Sequence, residues 1–247
     1  INSSPNLKVK LQNTFTTLAA LIFCINVVRP QVDVVGDQYF TYDYDDVPTS
    51  LPLFSNMDIN EENSQADKAI VVLHGSNRNA DEYFNSIYSA ASYLSIQNET
   101  IIIAPQFLLL EDIESWELSP DTPYWQNLTG WTIGNKSIST SQHPRDFQLS
   151  SYTIMDSLLS FIDSKFANVN DIILVGNSAG AQFINRYAGG SSLAFNDKIR
   201  FVISAPSSFL YFDENRYQYP NSWAVPSNCS NYNMYKYGLG DLNNYMS

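Results

Sequence analysis

Residues 171–190 read Asp-Ile-Ile-Leu-Val-Gly-Asn-Ser-Ala-Gly-Ala-Gln-Phe-Ile-Asn-Arg-Tyr-Ala-Gly-Gly. Ile172 to Val175 form a short aliphatic run of the kind that makes a buried parallel strand. Gly176-Asn177-Ser178-Ala179-Gly180 then matches G-x-S-x-G. Phe183 and Tyr187 follow one helical turn apart, and Gly189-Gly190 marks a helix end. Strand, sharp turn with serine at the tip, then helix is the context that turns this short pattern into a nucleophile elbow. The small residues let the turn close, so that Ser178 stands at the C-terminal end of the strand with its hydroxyl clear of the backbone.

Working outward, three more apolar runs carry strand signals. Ala69-Ile-Val-Val-Leu73 ends in His74-Gly75, Ile101-Ile-Ile103 is closed by Ala104-Pro105, and Phe201-Val-Ile-Ser204 reads as a fourth buried strand. Helical spacing fills the intervals. Asp81-Glu82 opens an amphipathic helix to about Leu94, and Ser150 to Phe166 carries Ile154, Leu158, Phe161, Ile162 and Lys165 at helical intervals. This alternation predicts an α/β fold, a mostly parallel sheet flanked by helices on both faces. Before it, Val32–Val35 and Gln38–Tyr42 flank Gly36-Asp37, a hairpin signal, and the polar run from Pro48 to Gln65 reads as a surface loop.

Two segments stay irregular in this reading. Residues 106–145 hold Phe107, Trp116, Tyr124, Trp125 and Trp131, and suit either a substrate-facing loop or an insertion packed on the body. Residues 209–247 are rich in Tyr and Asn, without further strand–helix alternation. The expected division is a signal peptide or signal anchor over 1–31 and one domain over 32–247. Lys8 and Lys10 precede an apolar stretch from Thr17 to Val28 that Arg29-Pro30 closes. That stretch is short of the ~20 residues a membrane span needs. A buried N-terminal helix is the alternative. The expected product is an exported protein. Sequons at Asn98, Asn127, Asn135 and Asn228 are compatible with glycosylation.

Composition narrows the partners. The chain has 247 residues, 44% of them apolar and 15% charged, enough for one domain with a substantial core. A net charge of −12 argues against a nucleic-acid partner, since phosphate binding needs a basic surface and the sequence shows none. No phosphate-binding loop, C-x-x-C pair or H-E-x-x-H is present, so neither a cofactor nor a metal is expected. The membrane enters only through the N-terminal segment. Of the cysteines, Cys24 falls in the signal-like segment and Cys229 is left over.

Residues 69–79, 101–107, 171–188 and 205–212 together resemble the α/β-hydrolase superfamily, most closely a little-characterised branch with a G-x-S-A-G elbow. The segment Tyr232–Leu239 is similar to that branch as well. The resemblance implies a serine hydrolase in which Ser178 attacks an acyl carbonyl of an ester, or of an amide, in a small-molecule or polymer substrate. The oxyanion then takes backbone N–H groups from Ala179 and from Ser76, in the loop after the His-Gly strand, with Asn77 next to it. His74, Gly75, Gly176 and Gly180 support the two turns. Acyl transfer by the same elbow and a non-catalytic binding protein are the competing readings.

The implied triad is incomplete. The family order is serine, acid, histidine, yet both histidines, His74 and His143, precede Ser178. A degenerate, non-catalytic relative and a chain that stops before the fold does are the two explanations, and truncation at both ends is the expectation. The chain opens on Ile1, and six strands stand where the resemblance implies eight. The absent two are those whose loops commonly carry acid and base. His143 in a polar loop is the alternative base. Asp213, Glu214 and Asp241 are the acids available after the elbow, with Asp213 reading first as a surface turn residue.

Overall fold

The computed structural model describes residues 31–61 and 65–247, so the signal-like segment lies outside the described residues apart from Gln31. The elements in chain order are β1 (Gln38–Tyr44), β2 (Val47–Ser55), β3 (Lys68–Leu73), α1 (Ala80–Tyr93), β4 (Thr100–Pro105), β5 (Leu108–Leu109) and α2 (Leu110–Trp116). Then come β6 (Tyr124–Trp125), α3 (Leu128–Thr132), α4 (Ser151–Lys165), β7 (Asp171–Asn177), α5 (Ala179–Gly190), β8 (Ile199–Ser204), β9 (Arg216–Gln218) and β10 (Ser222–Ala224). The main sheet has six strands in the order β1-β2-β4-β3-β7-β8. Pairing is antiparallel from β1 to β4 and parallel from β4 to β8.

Alternation along the central strands divides the core. Ala69, Val71, Leu73, Ile101, Ile103, Ile172 and Leu174 face the side covered by α4 and α5. Val72, Ala104 and Val175 face α1, which meets them with Ala80, Tyr83, Phe84 and Ile87. Ser150 caps α4 by accepting the Tyr152 N–H at 3.1 Å. No helix among the described residues is long and apolar enough to cross a membrane.

Three sequence expectations are corrected. The hairpin does not turn at Gly36-Asp37. It turns at Asp45-Asp46, where φ values of 49° and 62° give the left-handed pair of a two-residue hairpin loop. Gly36 serves a close approach instead, since a Cβ there would lie 2.4 Å from Leu53 N. Val32–Val35 is not a strand: the Val32 N–H goes to Asp112 Oδ1 (2.9 Å) and the Gly36 N–H to Gln106 Oε1 (3.0 Å).

The stretch read as loop from Pro48 holds β2, in which Leu51 and Leu53 are fully buried. Prolines do not break it because their missing donors point away from β1. They lie on the side where Ser50 N–H meets Asp121 O (3.0 Å) and where β4 pairs only with Leu53–Ser55. The third correction concerns β8, read as buried. Among the described residues β7 is its only strand neighbour, and Val202 and Ile203 remain 46% and 37% exposed.

Residues 106–145 carry short elements rather than none, and their aromatics pack inward. Phe107 stacks on Trp131 with ring centroids 5.5 Å apart, and Phe107 meets Phe183 of α5 at 5.3 Å. Trp125 and Tyr124 are buried, while Trp116 is exposed and donates Nε1–H to Val32 O at 3.0 Å. The C-terminal segment is tied to α5. Arg186 is fully buried and its guanidinium donates to Lys236 O (3.2 Å), Gln182 O (2.9 Å) and Ser208 Oγ (2.8 Å). Asp156 of α4 accepts from Tyr187 (2.5 Å) and Tyr245 (2.9 Å).

Candidate active site

Ser178 sits between the last residue of β7 and the first of α5, at φ 55° and ψ −116°. A residue with a Cβ rarely occupies that region, and holding it there costs on the order of 1–3 kcal/mol. Its surroundings fix it. The Ser178 N–H donates to Ser204 O at 3.1 Å, one step beyond the β7–β8 ladder, and its carbonyl accepts the first intrahelical bond, from Gln182 N–H at 3.1 Å. The glycines on either side permit the turn. A Cβ on Gly176 would lie 2.5 Å from the Gly180 carbonyl carbon, and one on Gly180 would lie 2.5 Å from Leu73 O. Asn177 and Ser178 are exposed, whereas Ala179 is buried and opens α5, so its N–H has no acceptor within the helix.

The parallel register pairs Leu73 with Gly176, which sets the loop after β3 against the elbow. Gly75 faces the serine, and a Cβ there would be 4.0 Å from Ser178 Cβ. His74 is fully buried with both ring nitrogens engaged. Nε2 accepts the Phe107 N–H at 2.9 Å, so the proton is on Nδ1, which donates to Gly75 O at 2.9 Å. The Arg78 N–H donates to the same carbonyl at 3.2 Å. A trans peptide points its C=O and N–H in opposite directions. With the Gly75 carbonyl drawn inward by two donors, the Ser76 N–H is turned the other way, toward the open side of the loop. It has no acceptor among the described residues.

Arg78 holds this loop from below. It is 1% exposed at φ 60°, and its Nε and Nη2 donate to Asp112 Oδ2 (2.6 Å) and Oδ1 (3.0 Å), a two-point pair. Nη1 reaches Ser76 O at 3.4 Å. Asp112 also accepts the Leu109 N–H at 2.8 Å, and Gln106 Nε2 donates to Arg78 O at 2.8 Å. Sequence reasoning missed Asp112, Gln106 and the role of Arg78. The available signal was weak: Gln106 on one side and the acidic pair Glu111-Asp112 on the other bound the apolar run Phe107–Leu110.

The other candidates lie elsewhere. His143 Nε2 is 3.9 Å from Glu114 Oε1, and its backbone bonds to Thr140 and Tyr124, all within the 106–145 segment. Asp213 accepts the Asn215 N–H at 2.6 Å in an exposed turn. Among the described residues no histidine nitrogen is bonded to Ser178. Cys229 is exposed and forms no disulfide among the described residues.

An elbow of this strained geometry, at the C-terminal end of a central strand in a mostly parallel sheet, decides the architecture. This is the α/β-hydrolase fold. No family model matches the chain, and no curated protein matches it. Solved structures with this fold are distantly similar. The poly(3-hydroxybutyrate) depolymerase LpqC from Bordetella parapertussis is 20% identical, with a TM-score of 0.40 over 66% of this chain and 50% of its own. Poly(aspartic acid) hydrolase-1 from Sphingomonas sp. KT-1 is 15% identical, with a TM-score of 0.40 over 75% of this chain and 62% of its own. An α/β-hydrolase fold protein of unknown function is 15% identical, with a TM-score of 0.37 over 75% of this chain and 47% of its own. The chain thus spans about half to three-fifths of the length of these α/β-hydrolases.

Two predictions follow from the site's local energetics. Glycine tolerates the Ser178 backbone conformation and alanine does not, so Ser178→Gly is expected to be about 1 kcal/mol more stable than Ser178→Ala. Denaturant unfolding of the two variants measures this, and equal stabilities contradict the strain. Burial lowers the His74 pKa from 6.5 to about 4. The unfolded chain therefore takes up a proton below pH 6.5 that the native imidazole refuses until about pH 4, and native stability drops as pH falls through that window. The stability gap between wild type and His74→Gln is expected to narrow by up to ~3 kcal/mol from pH 7 to pH 4. Carboxylate titration cancels in that difference, so a gap independent of pH contradicts the assignment.

Proposed function

We propose that this chain carries the nucleophile and oxyanion hole of a serine esterase working through an acyl-enzyme. The observation that carries the reading is Ser178 itself. A strained, exposed serine stands at the N-terminus of a 12-residue helix, beside the loop after β3 that carries Ser76. Backbone strain of this kind persists where the surrounding structure over-determines it, and it clusters at active sites.

In this reading Ser178 Oγ attacks the carbonyl carbon of an ester as its proton passes to a base. The carbonyl π electrons move to oxygen, and the N–H groups of Ser76 and Ala179 stabilise the oxyanion. The N-terminus of α5 adds a favourable field for that charge. Collapse expels the alcohol, which takes the proton, and leaves the acyl group on Ser178. Water then repeats the sequence to release the acid. Each donor contributes about 3 kcal/mol to the transition state.

The base is the part we place outside the described site. His74 has no free nitrogen, and His143 is held by Glu114 and the 106–145 segment. We propose that sequence beyond Ser247 supplies the histidine and its acid. The exposure of Val202 and Ile203 on the edge strand next to the elbow supports an added strand there. A non-catalytic binding protein is the second reading, supported by the same lack of a histidine at Ser178. Transfer of the acyl group to an alcohol other than water would use the same elbow. Export follows as part of the proposal, supported by the apolar segment Thr17–Val28 behind Lys8 and Lys10.

The protein expressed from its complete reading frame is expected to hydrolyse p-nitrophenyl esters of short acids. Ser178→Ala is expected to reduce kcat/KM by at least ~10³-fold with the fold intact by circular dichroism. Hydrolysis unaffected by Ser178→Ala, or a complete frame with no histidine after Ser178, overturns the esterase reading.

A further inference from the structure

Tyr83 stands beside the elbow and has no part in the site as described so far. Its ring is fixed in the layer between α1 and the sheet, against Val72, Ala80 and Ala104. Its hydroxyl emerges at the junction of the two active-site turns. A Cβ on Gly75 would lie 2.7 Å from Tyr83 Oη, and the same Cβ would lie 4.0 Å from Ser178 Cβ. On the other side, Asn177 Nδ2 approaches Tyr83 Oη at 3.5 Å as a donor. The phenol accepts that contact, and its own proton has no acceptor among the described residues.

A half-buried hydroxyl on an anchored ring is a pre-organised donor, because its ring loses little freedom when a ligand arrives. A donor oriented before the reaction costs no reorganisation when charge develops. The absence of a side chain on Gly75 leaves the space between this hydroxyl and Ser178 open. We propose that Tyr83 is a catalytic residue, donating its phenolic O–H to the oxyanion as a third donor beside the N–H groups of Ser76 and Ala179. The inference rests on the esterase reading of Ser178. It deepens that reading by adding a side-chain donor to a hole otherwise built from backbone. The hydrogen bond forms to the negatively charged oxygen and is stronger there than to the neutral carbonyl, so it acts on kcat rather than on KM.

The test compares the rate at which a fluorophosphonate labels wild type and Tyr83→Phe, both from the complete reading frame. Phosphonylation passes through an anionic phosphoryl oxygen that occupies the same hole. Tyr83→Phe keeps the ring packing, so its thermal unfolding midpoint is expected to stay within about 2 °C of wild type. Its labelling rate is expected to fall by about 100-fold. With an ester substrate the fall appears in kcat, and KM holds. Labelling of Tyr83→Phe at the wild-type rate, or a change confined to KM, overturns the role of Tyr83 and leaves Ser178 as nucleophile. Failure of wild type to label at Ser178 overturns both.

Discussion

The site depends on a close approach of two backbones. The first turn of α5 passes so near the end of β3 that Gly180 has no room for a Cβ against Leu73 O, and Gly176 has none against Gly180. That contact forces the chain to reverse over a single residue, and the residue left at the apex is Ser178, at positive φ. It also fixes what the serine faces. Because β3 and β7 are adjacent and in register from Lys68–Asp171 to Leu73–Gly176, the loop leaving β3 has to run beside the elbow. Strand pairing, glycine placement and nucleophile geometry are thus one constraint.

A second layer keeps the β3 loop in the orientation that the elbow needs. Arg78, itself in the left-handed region, is locked by both oxygens of Asp112, and His74 is locked by Phe107 and Gly75. These polar groups are buried, so each is held where its partners are. Breaking such a pair by removing one partner costs about 3–5 kcal/mol, while its net contribution when intact is small. Their value lies in geometry: they draw the Gly75 carbonyl inward and leave the Ser76 N–H facing out. On the far side of α5, Arg186 ties the elbow helix to Ser208 and Lys236, which makes the C-terminal segment part of the scaffold.

The sequence was most legible where one strand or helix explains its own residues. Ile172–Val175, the elbow, the two long helices and the strand ending at Leu73 could be read from local pattern because each buries a simple periodic face. Reading failed where a partner distant in the chain decides. Gly36-Asp37 carries a turn signal, but Gly36 is small to admit the Leu53 backbone. The prolines of β2 argue against a strand unless one knows that their missing donors face away from β1. Phe201–Ser204 is apolar enough for a core, yet only β7 flanks it among the described residues. Tyr83 and Asp112 were invisible as site residues for the same reason: what matters is where the fold brings their tips, across 94 residues to Asn177 and 34 to Arg78.

The most direct measurement is a crystal structure of the protein from its complete reading frame after reaction with a fluorophosphonate. The account predicts phosphorus bonded to Ser178 Oγ, with the phosphoryl oxygen within about 3 Å of the N–H groups of Ser76 and Ala179. Phosphorus on another residue, or a phosphoryl oxygen directed away from both N–H groups, would contradict it.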